Sequence, residues 1–169
     1  PQIPTLNTIF GQLNQVFTFL EVPDRSIVFS ATAASSVVIK DETLMDIAAQ
    51  IEGALNASPT FSTFVESFGL PSQAAPLVAK LFGRTYGQTR MANANDLLVL
   101  PSSSIIGTIN ADSVAYLMNE GLPQSLAGQF SVEGITLPLA DKWVLIPSEQ
   151  QEIKAATDAY NATIASVAS

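Results

Sequence analysis

Three consecutive serines, Ser102, Ser103 and Ser104, follow Pro101 directly after a run of β-forming residues at 96–100. A serine at a strand end is a position from which a nucleophile can act. Its hydroxyl needs a base to take the proton, and the chain contains no histidine. No Gly-x-Ser-x-Gly turn surrounds the three residues. A dyad with one of the four lysines (Lys40, Lys80, Lys142, Lys154) stays open on composition. The other reading is that these are turn serines, bonded to nearby backbone.

Carboxylates are the second chemical resource, since 15 Asp and Glu are present and a paired acid and base needs only two of them. Spacing along the chain does not say which two meet. Asp41, Glu42 and Asp46 gather before a helix, where the helix dipole favours negative charge, and they lack the ligand spacing of a calcium loop. Absence of both cysteine and histidine removes thiolate nucleophiles, disulfides and the usual transition-metal ligands. No metal and no cofactor is expected.

Apolar chemistry is better supplied. Thr60 opens a helix carrying Phe61, Phe64, Val65 and Phe68 and stopped by Gly69. Leu70 and Pro71 open another that carries Leu77, Val78, Leu81 and Phe82 and is expected to end at Gly83. Two short aromatic helices bounded by Gly and Pro suit a cap over an apolar groove, and they suit a small satellite core equally. The candidate groove walls are Phe61, Phe64, Phe68, Leu81 and Phe82.

The elements that must hold these residues follow from periodicity. Residues 4–20 repeat Leu6, Ile9, Phe10, Leu13, Val16, Phe17 and Leu20 at helical spacing, giving a helix that is either a lid or an ordinary packing element. Residues 26–30 and 36–40 read as two strands joined by a small-residue connection, either a hairpin or two edge strands. Thr43 is placed to cap a helix over residues 44–55, and Asp112 one that runs to Glu120. Residues 84–95 are polar and contain a glycine, so a loop is expected; residues 105–110 are expected to be extended. The chain is expected to be organised around residues 129–164, where β-formers at 135–139 and 143–146 feed a long helix. Ser148 and Gln151 have capping-box spacing, and Ile153, Ala156, Tyr160, Ile164 and Val167 form an apolar stripe that needs a cover.

Composition bounds the partners. The 169 residues suit one domain, or part of one, with no repeat or linker dividing them. The net charge of −8 and the scatter of only seven basic residues argue against nucleic acid, which is bound through clustered Lys and Arg. A hydrophobic content of 47% and mean hydropathy of +0.31 are high, pointing to surface that meets another segment or partner. No apolar run reaches the roughly 18 residues of a membrane span, and no basic apolar leader is present, so any export signal would lie outside these residues. Two Asn-x-Ser/Thr sequons occur, at Asn56 and Asn161.

The run LPLADKWVLIPSEQQEIKAATDAYNATI at 137–164 resembles the segment before the last strand of SGNH (GDSL-type) hydrolases of Bacteroidetes, which are secreted or lipid-anchored esterase-like proteins. PQIPTLNTIFGQLNQVF at 1–17, IVFSATAASSVVIKDETLMDIA at 27–48 and NDLLVLPSSSIIGTIN at 95–110 resemble the same family's middle region. The likeness spans nearly the whole chain but none of the family's catalytic blocks: the Gly-Asp-Ser block, the oxyanion Gly and Asn blocks and the Asp-x-x-His block are all missing. The elements read above make an α+β chain, mostly helical with several short strands; the resemblance implies that it completes a three-layer α/β fold, with the nucleophile expected before Pro1 and the base after Ser169. It also implies a secreted or cell-surface location, an acyl ester or lipid as ligand, and the rest of the polypeptide or a protein partner as the cover for the apolar surface. The alternative function is a cell-surface structural or interaction module without activity.

Overall fold

In the computed structural model, residues 3–168 are described; Pro1, the start of the first resembling run, lies outside them with Gln2 and Ser169. Helix α1 (Ile3–Phe19) buries the expected stripe from Leu6 to Phe17. The row flanking that stripe carries Asn7 and Asn14, one heptad apart, and these explain the next segment. Asn7 Nδ2 donates to the Phe29 carbonyl at 2.8 Å while Phe29 N–H donates to Asn7 Oδ1 at 2.9 Å. Asn14 does the same for Ile27, both bonds at 2.8 Å. Residues 26–30 are therefore extended but form no strand, because two side-chain amides of α1 take the donors and acceptors that a sheet partner would otherwise use.

The expected hairpin is accordingly not formed. Strand β1 (Val38–Lys40) pairs antiparallel not with residues 26–30 but with β2 (Thr89–Met91), Ile39 opposite Arg90, about fifty residues further along the chain. Strand β2 lies inside the segment expected to be a loop. The polar character of Thr89 and Arg90 hid it: Thr89 is buried, and Arg90 is held by two aspartates.

Helix α2 (Ala48–Ala57) starts four residues later than expected. Thr43 is not its cap; its N–H and hydroxyl both donate to Asp41 Oδ1, closing a turn that precedes the helix. Ala48 N–H instead donates to Asp46 Oδ1. Helix α3 (Phe61–Glu66) is followed by Gly69 at φ +78°, the left-handed stop that the sequence calls for. Helix α4 (Ala75–Tyr86) runs through Gly83 rather than ending there. A Cβ on Gly83 would lie 2.3 Å from the Ala48 carbonyl oxygen, so this glycine lets α4 cross α2 in backbone contact.

Strand β3 (Leu97–Leu98) pairs antiparallel with β4 (Val144–Leu145). Residues 105–108 form turns rather than an extended segment, and only Ile109 bridges, to Val132. Helix α5 (Ala111–Asn119) is capped by Asn110, whose side-chain oxygen accepts from Ser113 N–H; Asp112 sits inside the first turn instead. Gly121 stops it at φ +106°, and α6 (Gln124–Gln129) follows. Residues 130–140 make tight turns and isolated bridges. Helix α7 (Pro147–Ala168) closes the chain; Ser148 lies within it, and the reach-back bond comes from Glu149, whose Oε2 accepts the Ile146 N–H at 2.8 Å.

The result is α+β and mostly helical, with two small two-stranded sheets. The main core joins α1 through α6, and a smaller one gathers Ile39, Leu139, Val144 and Ile146 around the sheets. The 129–164 stretch is only half integrated: its first part is buried between the cores, whereas residues 151–168 are all exposed.

Candidate functional site

Aromatic rings link the helices around the site. Phe82 on α4 lies 5.6 Å from both Tyr86 and Phe130 and 6.3 Å from Phe64, each pair near edge-to-face. Phe64 is 5.0 Å from Phe68, and Phe68 is 6.2 Å from Phe130. Such pairs prefer these offsets, and each contributes about 0.5–1.5 kcal/mol beyond the area it buries. Tyr86 also donates its hydroxyl to the Thr136 carbonyl at 2.6 Å, fully buried, which ties the 130–140 turns to α4. Burial pushes its phenol up.

These rings stand along one side of a cavity of about 290 Å³ between α3, α4, α5, α6 and residues 137–140. Four of the five residues proposed as groove walls, Phe64, Phe68, Leu81 and Phe82, line it. Phe61 does not. It is buried behind the wall, stacked on Phe64 at 5.6 Å and edge-on to Phe82 at 6.2 Å. The far wall was not visible in the sequence as such. Leu117, Leu122, Leu126 and Phe130 come from α5, α6 and the turns beyond, each recognisable as apolar but with nothing local to show that all face one space.

Part of the lining is polar and basic. Lys40, Arg84, Thr85, Ser113 and Tyr116 contribute to it, and no Asp or Glu does. Arg84 Nη1 donates to the Tyr116 hydroxyl at 2.7 Å, with its guanidinium carbon 4.9 Å from the ring centre. Partial burial, opposed by Arg84 and reinforced by Glu120, raises the Tyr116 phenol. Lys40 is already paired with Glu42 at 2.5 Å.

The other candidate chemistries resolve into structural roles. Ser103 and Ser104 donate their hydroxyls to the carbonyls of Leu100 and Pro101, and Ser102 is buried in the same turn. Among the described residues no lysine hydrogen-bonds to any of them. Asp41 and Asp96 meet only through Arg90: its Nε donates to Asp41 at 2.7 Å, and its two terminal nitrogens clasp Asp96 at 2.6 and 2.7 Å. Burial alone would raise the Asp41 carboxyl, but hydrogen bonds from Thr43 and Arg90 outweigh it and hold the group low. Arg90, helped by the Asn93 N–H, likewise depresses Asp96 against its burial. A doubly committed arginine holds both carboxylates in the ionised form, so neither can serve as a proton donor near neutral pH. Among the described residues no group of three acidic residues is placed to hold a metal ion.

What the arrangement can do is hold an apolar molecule with a polar end. No protein-family model, curated protein or solved structure matches the chain.

Proposed function

We propose that this chain forms the ligand-binding wall of an acyl-ester hydrolase of the SGNH kind, holding the apolar part of the substrate while the nucleophile and base come from outside these residues. The carrying observation is the aromatic-walled cavity of about 290 Å³ with a polar, cation-bearing opening. Its size is at the lower end of the ~300–1,000 Å³ typical of small-molecule sites, and its wall is apolar with a few convergent polar groups, as such sites are. The lack of histidine and the turn bonding of Ser103 and Ser104 are consistent with catalysis being supplied elsewhere.

The test is binding of N-phenyl-1-naphthylamine, a neutral apolar fluorophore, followed by displacement with decanol. Enhanced fluorescence that decanol reverses, and that Leu70→Trp at the half-buried cavity wall abolishes, is the expected result. No enhancement, or enhancement indifferent to that substitution, overturns the pocket. Turnover of p-nitrophenyl butyrate by this chain alone would overturn the assignment of the catalytic groups to other residues.

A second reading, a non-enzymatic interaction module, draws on α7, where Ile153, Tyr160, Ile164 and Val167 are all more than half exposed. An apolar stripe without a cover is a common mark of a contact surface. On that reading the fluorophore fails to bind while a partner protects α7 from proteolysis.

A further inference from the structure

Building on the acyl-pocket reading, we infer that the ligand is a medium-chain monocarboxylate, its tail among Phe64, Phe68, Phe82 and Leu117 and its carboxylate on Arg84. A neutral ester would need only the apolar wall. The charge distribution asks for more than that.

The chain carries 15 acidic residues against 7 basic ones, yet the cavity is lined by Arg84 and Lys40 and by no carboxylate. A protein of net charge −8 repels anions on average, so an anion binds only where a local cation overrides that field. Lys40 is engaged by Glu42. Arg84 makes no ion pair among the described residues; one terminal nitrogen donates to the Tyr116 hydroxyl, and the group lies over that ring. The ring contact and the hydrogen bond hold the guanidinium at the opening, and the donors that remain can still meet a carboxylate. Among the described residues Arg84 carries one positive charge without an ion pair of its own, and Glu120 already acts on the Tyr116 hydroxyl it holds, so the opening suits a singly charged carboxylate rather than a doubly charged phosphate head. The apolar wall directly behind it sets the rest: a head on Arg84 and a chain short enough for about 290 Å³. In an ester hydrolase, such a molecule is the released acid, so the site would hold product.

The experiment is competition against bound N-phenyl-1-naphthylamine by decanoate and by decanol, in the native chain and in Arg84→Gln and Arg84→Lys. Decanoate should compete at least about tenfold better than decanol, the scale of a hydrogen bond to a charged group. Arg84→Gln should erase that preference, weakening decanoate competition about tenfold more than decanol competition, and Arg84→Lys should restore part of it. Arg84 is exposed, so its replacement leaves the fold intact, which far-UV circular dichroism checks. Equal competition by acid and alcohol in the native chain, or equal losses for both in Arg84→Gln, overturns the inference and leaves the pocket standing. Failure of the fluorophore itself to bind overturns the pocket and the inference together.

Discussion

Helix α4 and helix α7 both place apolar side chains at intervals of three and four, yet Val78, Ala79, Leu81, Phe82 and Tyr86 are buried while residues 151–168 are all exposed. The difference lies in what each is built to meet. Helix α4 presents Gly83 to α2, and Gly87 just past its end sits against the start of α2, where a Cβ would strike Ala48 and Asp46; Phe82 meets three rings from outside α4. Helix α7 is tied down at its first turn, by Glu149 on Ile146 and by Gln150 on the carbonyls of Asn95 and Leu145. Beyond that turn it holds its shape through its own backbone and pairs such as Lys154 with Asp158 at 2.6 Å. Periodicity thus specifies a face, and close-approach residues and shape specify whether the same chain covers it.

The sharpest way to break the comparison is at Phe82. Phe82→Ala removes a ring that touches Phe61, Phe64, Tyr86 and Phe130, and it should cost about 4 kcal/mol, as large buried aromatic truncations do. The same variant should enlarge the cavity and weaken fluorophore binding. Urea denaturation gives the first quantity; a loss below 1 kcal/mol would mean that the ring cluster is not the keystone of this half. Gly83→Ala adds a single methyl group where α4 crosses α2, and it should cost about 3 kcal/mol, the upper end of overpacking, because the obstacle is backbone.

Those two substitutions also mark where the sequence was legible. The α1 stripe, the aromatic rows of α3 and α4 and the positive-φ stops at Gly69 and Gly121 could all be read locally, because each follows from one periodicity or one backbone constraint. Gly83 was misread as a stop, since a glycine chosen for close packing looks the same in one dimension as one chosen for its φ. The strand at residues 26–30 was misread for a related reason: its hydrogen bonds go to Asn7 and Asn14, whose type suggests a solvated helix face. Pairing of β1 with β2 and convergence of α5 and α6 on the cavity depend on contacts dozens of residues apart, which no window of sequence contains.

A smaller effect sharpens the contrast from the sheet side, where order comes from charge rather than rings. Asp41 and Asp96 both have carboxyls held below the ordinary range, so their contribution is fully present above the unfolded value near ~4 and is lost as pH falls through it toward their lower folded values. Stability should be flat from pH 7 to 5 and decline below pH ~4. Arg90→Met should cost about 3 kcal/mol at pH 7 by stranding two carboxylates, one of them with its side chain fully buried. Its cost should shrink at pH 3, where protonated carboxyls no longer need a cation. A cost independent of pH would assign the role of Arg90 to packing.

The least effect is expected on α7, and it is the one that decides how the comparison is understood. Tyr160→Lys together with Ile164→Lys replaces two side chains that are 73% and 66% exposed, on a helix with no buried residue. Surface changes of this kind stay within about 0.5 kcal/mol, so the denaturation midpoint should not move. Should it drop by 1 kcal/mol or more, the stripe would be covered in solution, and analytical ultracentrifugation at rising concentration would then separate two covers. Loss of a concentration-dependent dimer on substitution would identify a second copy as that cover. A stability loss in a monomer would mean that α7 folds back on its own domain, and the contrast with α4 would then be one of degree. With the midpoint unmoved, the apolar face of α7 adds nothing to the stability of residues 3–168, and the contrast with α4 is one of kind.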